Sequence, residues 1–114
     1  AKDSQQKIIF VKSNQAAKHM DIGRFYLKEK KYTAALSRFN TVIDDYSMTK
    51  FVPEALHRMV EAYYEMGMYD ESFNTASVLG YNYPDSRWYK HSYNLIKNVD
   101  ENDTLLKKMS NFFD

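Results

Sequence analysis

Three histidines, His19, His57 and His91, are the side chains best suited to hold a metal or move a proton near neutral pH. They fall at different positions of the repeat described below, so they form no single ring of ligands. Asp100, Asn102 and Asp103 make a small acidic cluster. A calcium loop would also need a central Gly and a distal bidentate Glu, and both are missing. Asn102-Asp103-Thr104 matches a glycosylation sequon, a pattern short enough to recur by chance. The chain has no cysteine, which excludes a disulfide scaffold, a thiolate zinc site and a cysteine nucleophile. No Gly-rich phosphate loop and no Gly-x-Ser-x-Gly elbow occurs. These residues support no enzyme activity, metal or cofactor.

What remains is surface chemistry. Ten Tyr, seven Phe and one Trp raise the idea of base stacking. Most of them sit at packing positions, and a net charge of +1 gives no strong field for nucleic acid or anionic lipid. Trp88 and Tyr89 read as fillers between structural units. The Lys28-Glu29-Lys30-Lys31 run reads as a solvated turn, its cations suiting a helix C-terminus.

The elements that position these residues are helical. Only three Gly and two Pro occur in 114 residues, too few for the tight turns of a sandwich or barrel. Tyr32, Ala35, Leu36, Phe39, Val42, Ile43 and Tyr46 fall on one helical stripe that no strand period matches. Before it, Ser4 to Glu29 carries no Pro; one long helix, or two with a break at Ser13-Asn14, would both fit. Pro53 suits the first turn of the next helix, with the stripe Val52, Ala55, Leu56, Met59, Val60, Tyr63 and Met66 ending at Gly67. A fourth helix opens at Tyr69 or Asp70, turns Phe73, Ala76 and Leu79 inward and stops at Gly80. Tyr81 to Ser86 reads as a loop with its own cap, and Trp88, Tyr89, Tyr93 and Ile96 mark a fifth helix. Asn98 to Asp103 reads as a connection to a short amphipathic helix of Leu105, Leu106, Met109, Phe112 and Phe113, which caps the array or docks a partner. The longest apolar run, Ile8 to Val11, is far too short to span a bilayer, and no signal-peptide pattern is expected within residues 1–114. The start at Ala1 without Met suits a processed piece of a longer protein.

Shifted by 37 residues the sequence matches itself: Tyr26 meets Tyr63, Tyr32 meets Tyr69, and Tyr46 meets Tyr83. The pattern resembles a tetratricopeptide repeat. Its motif positions are held by Gly23, Tyr26, Ala35 and Phe39 in one copy, and by Tyr63, Gly67, Tyr83 and Pro84 in the next, with Trp88 following. Lys30 stands where the motif has its intra-repeat Gly. The expected fold is an all-α, tetratricopeptide-like solenoid of antiparallel helix pairs in a right-handed superhelix. Residues 1–15 would continue a preceding repeat, 16–52 and 53–89 would be repeats, and 90–114 would hold a partial repeat with a capping helix. Along the inner face, Arg24 and Lys28 of one repeat and His57, Glu61, Tyr64 and Glu65 of the next are expected to be exposed and close together. Such a wall suits a partner peptide or domain edge, and it equally describes an ordinary charged surface.

Two local strings carry a closer resemblance. Ile22-Gly23-Arg24-Phe25-Tyr26-Leu27-Lys28 with Tyr32 to Phe39, and Val78-Leu79-Gly80-Tyr81-Asn82-Tyr83-Pro84-Asp85-Ser86 with Trp88-Tyr89 and Tyr93, resemble the BamD (also ComL or YfiO) family. That resemblance covers about residues 7 to 97 and implies a non-enzymatic lipoprotein on the periplasmic face of the bacterial outer membrane. It would belong to the β-barrel assembly machinery. Its C-terminal repeats would bind the POTRA domains of the BamA barrel, with other small assembly-machinery lipoproteins as further partners. The chain would be a C-terminal piece, reaching the membrane only through a lipid anchor outside it. A generic tetratricopeptide scaffold or co-chaperone that grips extended peptides is the alternative.

Overall fold

A computed structural model describes residues 2–101, with side-chain surroundings for 3–97. Among the described residues every regular element is a helix: α1 (Lys2–Lys28), α2 (Tyr32–Asp45), α3 (Val52–Glu65), α4 (Tyr69–Asn82) and α5 (Arg87–Glu101). α1 is continuous, because Ser13-Asn14 carries neither the Pro nor the C-terminal Gly that would stop it. None of these helices is long and apolar enough to cross a membrane.

The helices pack in antiparallel neighbours, α1 with α2 and α3 with α4, while α3 also touches α2 and α5. The predicted α2 stripe points inward: Ala35, Phe39 and Val42 are buried with Ala16 and Met20 of α1 and Ala55 and Met59 of α3. Gly23 lets α1 and α2 approach closely, since a Cβ there would lie 2.6 Å from the Phe39 ring. Val52, Leu56 and Leu79 form a second cluster, with Tyr83, Trp88 and Tyr89 packed against it.

The 37-residue offset recurs in the backbone. At the α1–α2 turn, Lys30 N–H donates to Leu27 O and Lys31 N–H to Tyr26 O. At the α3–α4 turn, Gly67 N–H donates to Tyr64 O and Met68 N–H to Tyr63 O. Both are the paired bonds of a Schellman C-cap. Tyr46 and Tyr83 close α2 and α4 in the same way, each N–H reaching the carbonyl four residues back. Ser86 caps α5 by accepting the Trp88 N–H at 3.1 Å. Pro53 lies in the first turn of α3.

Several expectations are corrected. α4 runs past Gly80 to Asn82, so Gly80 is an interior position and Tyr81-Asn82 belong to the helix. A Cβ on Gly80 would lie 2.4 Å from the Tyr89 ring, which makes it a second close-packing glycine. Phe73 and Met66 are each 38% exposed despite their place on the inward stripes. α5 continues through Asn98 to Glu101, where a connection was expected. The segment Leu105 to Phe113 lies outside the described residues.

Candidate partner-binding surface

The first helices of successive pairs, α1, α3 and α5, adjoin one another and form one wall. The stripes that bury α2 and α4 leave the charged faces of these helices on that wall. Arg24 of α1 reaches α3 with a two-pronged fork: Nε donates to Glu54 Oε2 at 2.8 Å and Nη2 to Glu54 Oε1 at 2.7 Å. Its Nη1 donates to Asp21 Oδ1 at 2.8 Å. Arg58, one turn past Glu54, donates Nε to Glu54 Oε2 at 3.2 Å and Nη1 to Glu61 Oε1 at 2.8 Å. Glu61 Oε1 also lies 3.3 Å from His57 Nε2. His57 Nδ1 meets Ser92 Oγ of α5 at 2.7 Å. One polar chain therefore runs from Asp21 through α3 to Ser92 and ties three helices together.

Electrostatics follow from burial and pairing. Burial pushes the Glu54 carboxyl up, but the Arg24 fork and then Arg58 outweigh it and hold the group below the usual carboxylate range. Glu54 in turn raises the Arg24 guanidinium. His57 is pushed down to about 4, chiefly by burial, with Arg58 and His91 adding to the effect and Glu61 and Glu54 opposing it. It is therefore neutral at pH 7. With its proton on Nε2 towards Glu61, Nδ1 accepts the Ser92 hydroxyl hydrogen.

His57 is 6% exposed, which corrects the expectation of an exposed wall residue. α5 covers it: the Trp88 ring stands 5.5 Å from His57, and the His91 ring 5.8 Å. Arg58 and Arg87 guanidinium groups lie 5.2 and 4.8 Å from the Trp88 ring centre. Arg24 and Glu61 are half-buried in ion pairs, so they too are less open than expected. Lys28 and Glu65 are exposed. With Glu61 they line a hollow of about 320 Å³, completed by Leu27, Lys30, Tyr32 and Leu95. Tyr64 stands edge-on to Tyr69 at 5.5 Å.

The structure thus joins Arg24, His57 and Glu61 in one network and Lys28, Glu61 and Glu65 around one hollow. Glu54, Arg58 and Ser92 were not singled out from the sequence. Glu54 and Arg58 did carry a signal, since opposite charges four apart on a helix pair readily. Ser92 carried none. His19 lies away from this cluster, its Nδ1 3.2 Å from Arg38 Nη1 and its ring 5.5 Å from Tyr46. Among the described residues no three acidic or His side chains converge as a metal site would require. The side chains of Asp100, Asn102 and Asp103 lie outside the described residues.

Paired helices on a fixed repeat, a close-packing glycine between them and an interlocked charged wall define a tetratricopeptide-type helical scaffold. The chain belongs to the YfiO family, described as outer membrane lipoprotein, whose sequence pattern matches residues 1–79. The outer membrane protein assembly factor BamD of Rickettsia prowazekii is 52% identical over 96 residues, which cover 84% of this chain and 38% of that protein. BamD of Caulobacter vibrioides is 45% identical over 96 residues, 84% of this chain and 32% of its own length. BamD of Neisseria meningitidis serogroup A is 28% identical over 93 residues, 82% and 35% respectively. The chain spans about a third of the length of these relatives.

Proposed function

We propose that this chain is the C-terminal, protein-binding part of an outer-membrane protein assembly factor. It would work at the periplasmic face of the bacterial outer membrane by holding the POTRA domains of the BamA barrel, without bond chemistry of its own. The observation that carries this reading is the 52% and 45% identity to two relatives named as assembly factors, each over 84% of the chain. Other small assembly-machinery lipoproteins are further partners in this reading. A lipid anchor outside residues 1–114 would supply the membrane contact.

The geometry suits such a role. A wall whose charges are already locked in mutual hydrogen bonds loses little side-chain freedom when a partner lands on it. Lys28 and Glu65, exposed at the edge of the hollow, are the members left to meet the partner. Towards the other end, Ile8, Phe10 and Val11 of α1 are 55%, 67% and 51% exposed. Residues 1–15 in this reading continue a preceding repeat that covers them.

The test is capture of the chain by isolated POTRA domains. Lys28→Glu and Glu65→Lys should each weaken capture about tenfold with helix content unchanged. They are cleaner probes than Glu61, whose reversal would also break the Arg58 pair. Capture that ignores both variants moves the interface off this wall. A chain that ignores POTRA domains and binds extended peptides is the generic scaffold instead.

A further inference from the structure

The 37-residue offset inverts the charges of the wall. It carries Asp21, Arg24 and Lys28 of α1 onto Arg58, Glu61 and Glu65 of α3, so all three signs change. The next step carries Arg58 and Glu61 onto Leu95 and Asn98 of α5, where both charges are lost. α3 packs against both α1 and α5, so the three helices present these sets side by side.

Most of these charges satisfy one another. Arg24 pairs with Asp21 and Glu54, and Arg58 pairs with Glu61. The outermost members do not. Among the described residues Lys28, Lys30 and Glu65 have no ion partner, and all three are exposed. They line the same hollow of about 320 Å³, with the lysines at the end of α1, Glu65 on α3 and Leu95 on α5. Opposite charges that share a hollow without pairing are left to meet whatever enters it. Because Arg58 already answers Glu61, the cationic side of the hollow is set by Lys28 and Lys30 and the anionic side by Glu65.

We propose that this wall takes an extended segment of the partner whose facing residues are an acid, a base and an apolar residue, in that order from α1 to α5. The acid meets Lys28 and Lys30, the base meets Glu65, and the apolar side chain lies on Leu95. Packed helix axes stand roughly 8–10 Å apart. Alternate residues of an extended segment face the same way at a spacing of about 7 Å, and side chains as long as Glu and Lys close the difference. The order also fixes how the segment lies. Exchanging its acid and base would set like charges against both α1 and α3. This inference rests on the reading above that the wall meets a partner, and not on which partner it is.

Two synthetic peptides of one composition, capped at both ends, test it: Ser-Glu-Ser-Lys-Ser-Leu-Ser and Ser-Lys-Ser-Glu-Ser-Leu-Ser. Each is titrated into the whole chain with isotope-labelled amides. The first should bind about fivefold more tightly than the second and shift the amides of Lys28, Lys30, Glu65 and Leu95. In the variant Lys28→Glu/Lys30→Glu/Glu65→Lys, with helix content unchanged, the second peptide should become the tighter ligand. Equal binding of the two, binding of neither, shifts confined to other residues, or a preference that survives the triple variant overturns the proposal. Capture of POTRA domains is read separately. A peptide preference that inverts as expected in a chain that ignores POTRA domains removes that partner and keeps the charge order. POTRA capture without any peptide preference removes the charge order and keeps the partner.

Discussion

Lys30 and Gly67 stand 37 residues apart and hold the same left-handed backbone, at φ 61° and 75°. Both occupy the C′ position of a Schellman turn, where a Cβ costs roughly 1–2 kcal/mol and glycine escapes that cost. Replacing Lys30 with Gly should therefore stabilise the chain, by about 0.5–1 kcal/mol after the greater freedom of glycine in the unfolded chain is subtracted. Gly67→Ala should destabilise it by about 1 kcal/mol, although no atom would crowd the new methyl. Urea midpoints of the two variants check both signs. A Lys30→Gly chain no more stable than the parent would remove strain as the reason.

The Arg24–Glu54 fork crosses from α1 to α3, and the Glu54 side chain is only 10% exposed. Arg24→Ala leaves that carboxylate with Arg58 as its remaining cation, and should cost about 2–3 kcal/mol. A double-mutant cycle with Glu54→Ala should give a coupling of about 1–2 kcal/mol, moderated because Arg24 is about a third exposed. Arg24→Lys should recover less than half of the loss, since an ammonium cannot make the two parallel bonds. A coupling near zero would mean that the fork ties nothing together.

His57 links the wall to acid stability. Its folded value of about 4 lies below the ordinary 6.5, so the unfolded chain binds the proton more readily. Stability from this group is present above the ordinary 6.5 and drains as pH falls through that value towards 4, by about 3 kcal/mol in all. Glu54, held below its ordinary value, adds a loss that begins lower, as pH passes beneath about 4.5. Unfolding measured from pH 7 to 4 should show this fall in the parent. His57→Gln should flatten the part between 6.5 and 4.5, at a constant cost from disturbing the Ser92 contact. A parent whose stability is level over that range would contradict the burial of His57.

The parts of the fold that show in the sequence are those set by one helix and its nearest partner. The α2 stripe and the 37-residue match of Tyr46 to Tyr83 follow from period and spacing alone, and Gly23 as a close-packing position follows from the repeat motif that the sequence resembles; the Phe39 contact and the end of α4 at Asn82 come from the structure. The exposure of the wall residues did not follow from period or spacing. α3 packs against α2, α4 and α5, and a two-faced helix pattern has no place for a third neighbour. His57 therefore read as a surface residue, although Ser92, thirty-five positions later, encloses it. Glu54 and Arg58 were legible as a charge pair, but their link to Arg24 depends on how α1 lies across α3.

Gly80 shows the same limit and offers a test by sign. A glycine near the end of a helical stripe reads as a stop, yet α4 continues for two residues and the Tyr89 ring lies against it. Alanine is normally better than glycine inside a helix by about 1 kcal/mol. Here the added methyl would meet the ring at 2.4 Å, so Gly80→Ala should instead destabilise by about 1–3 kcal/mol. Tyr89→Ala removes the obstacle. In that background Gly80→Ala should become neutral or stabilising, by up to about 1 kcal/mol. Chemical denaturation of the four chains measures the reversal. Equal destabilisation in both backgrounds would return Gly80 to a capping role, because a cap needs the glycine backbone whatever stands at position 89.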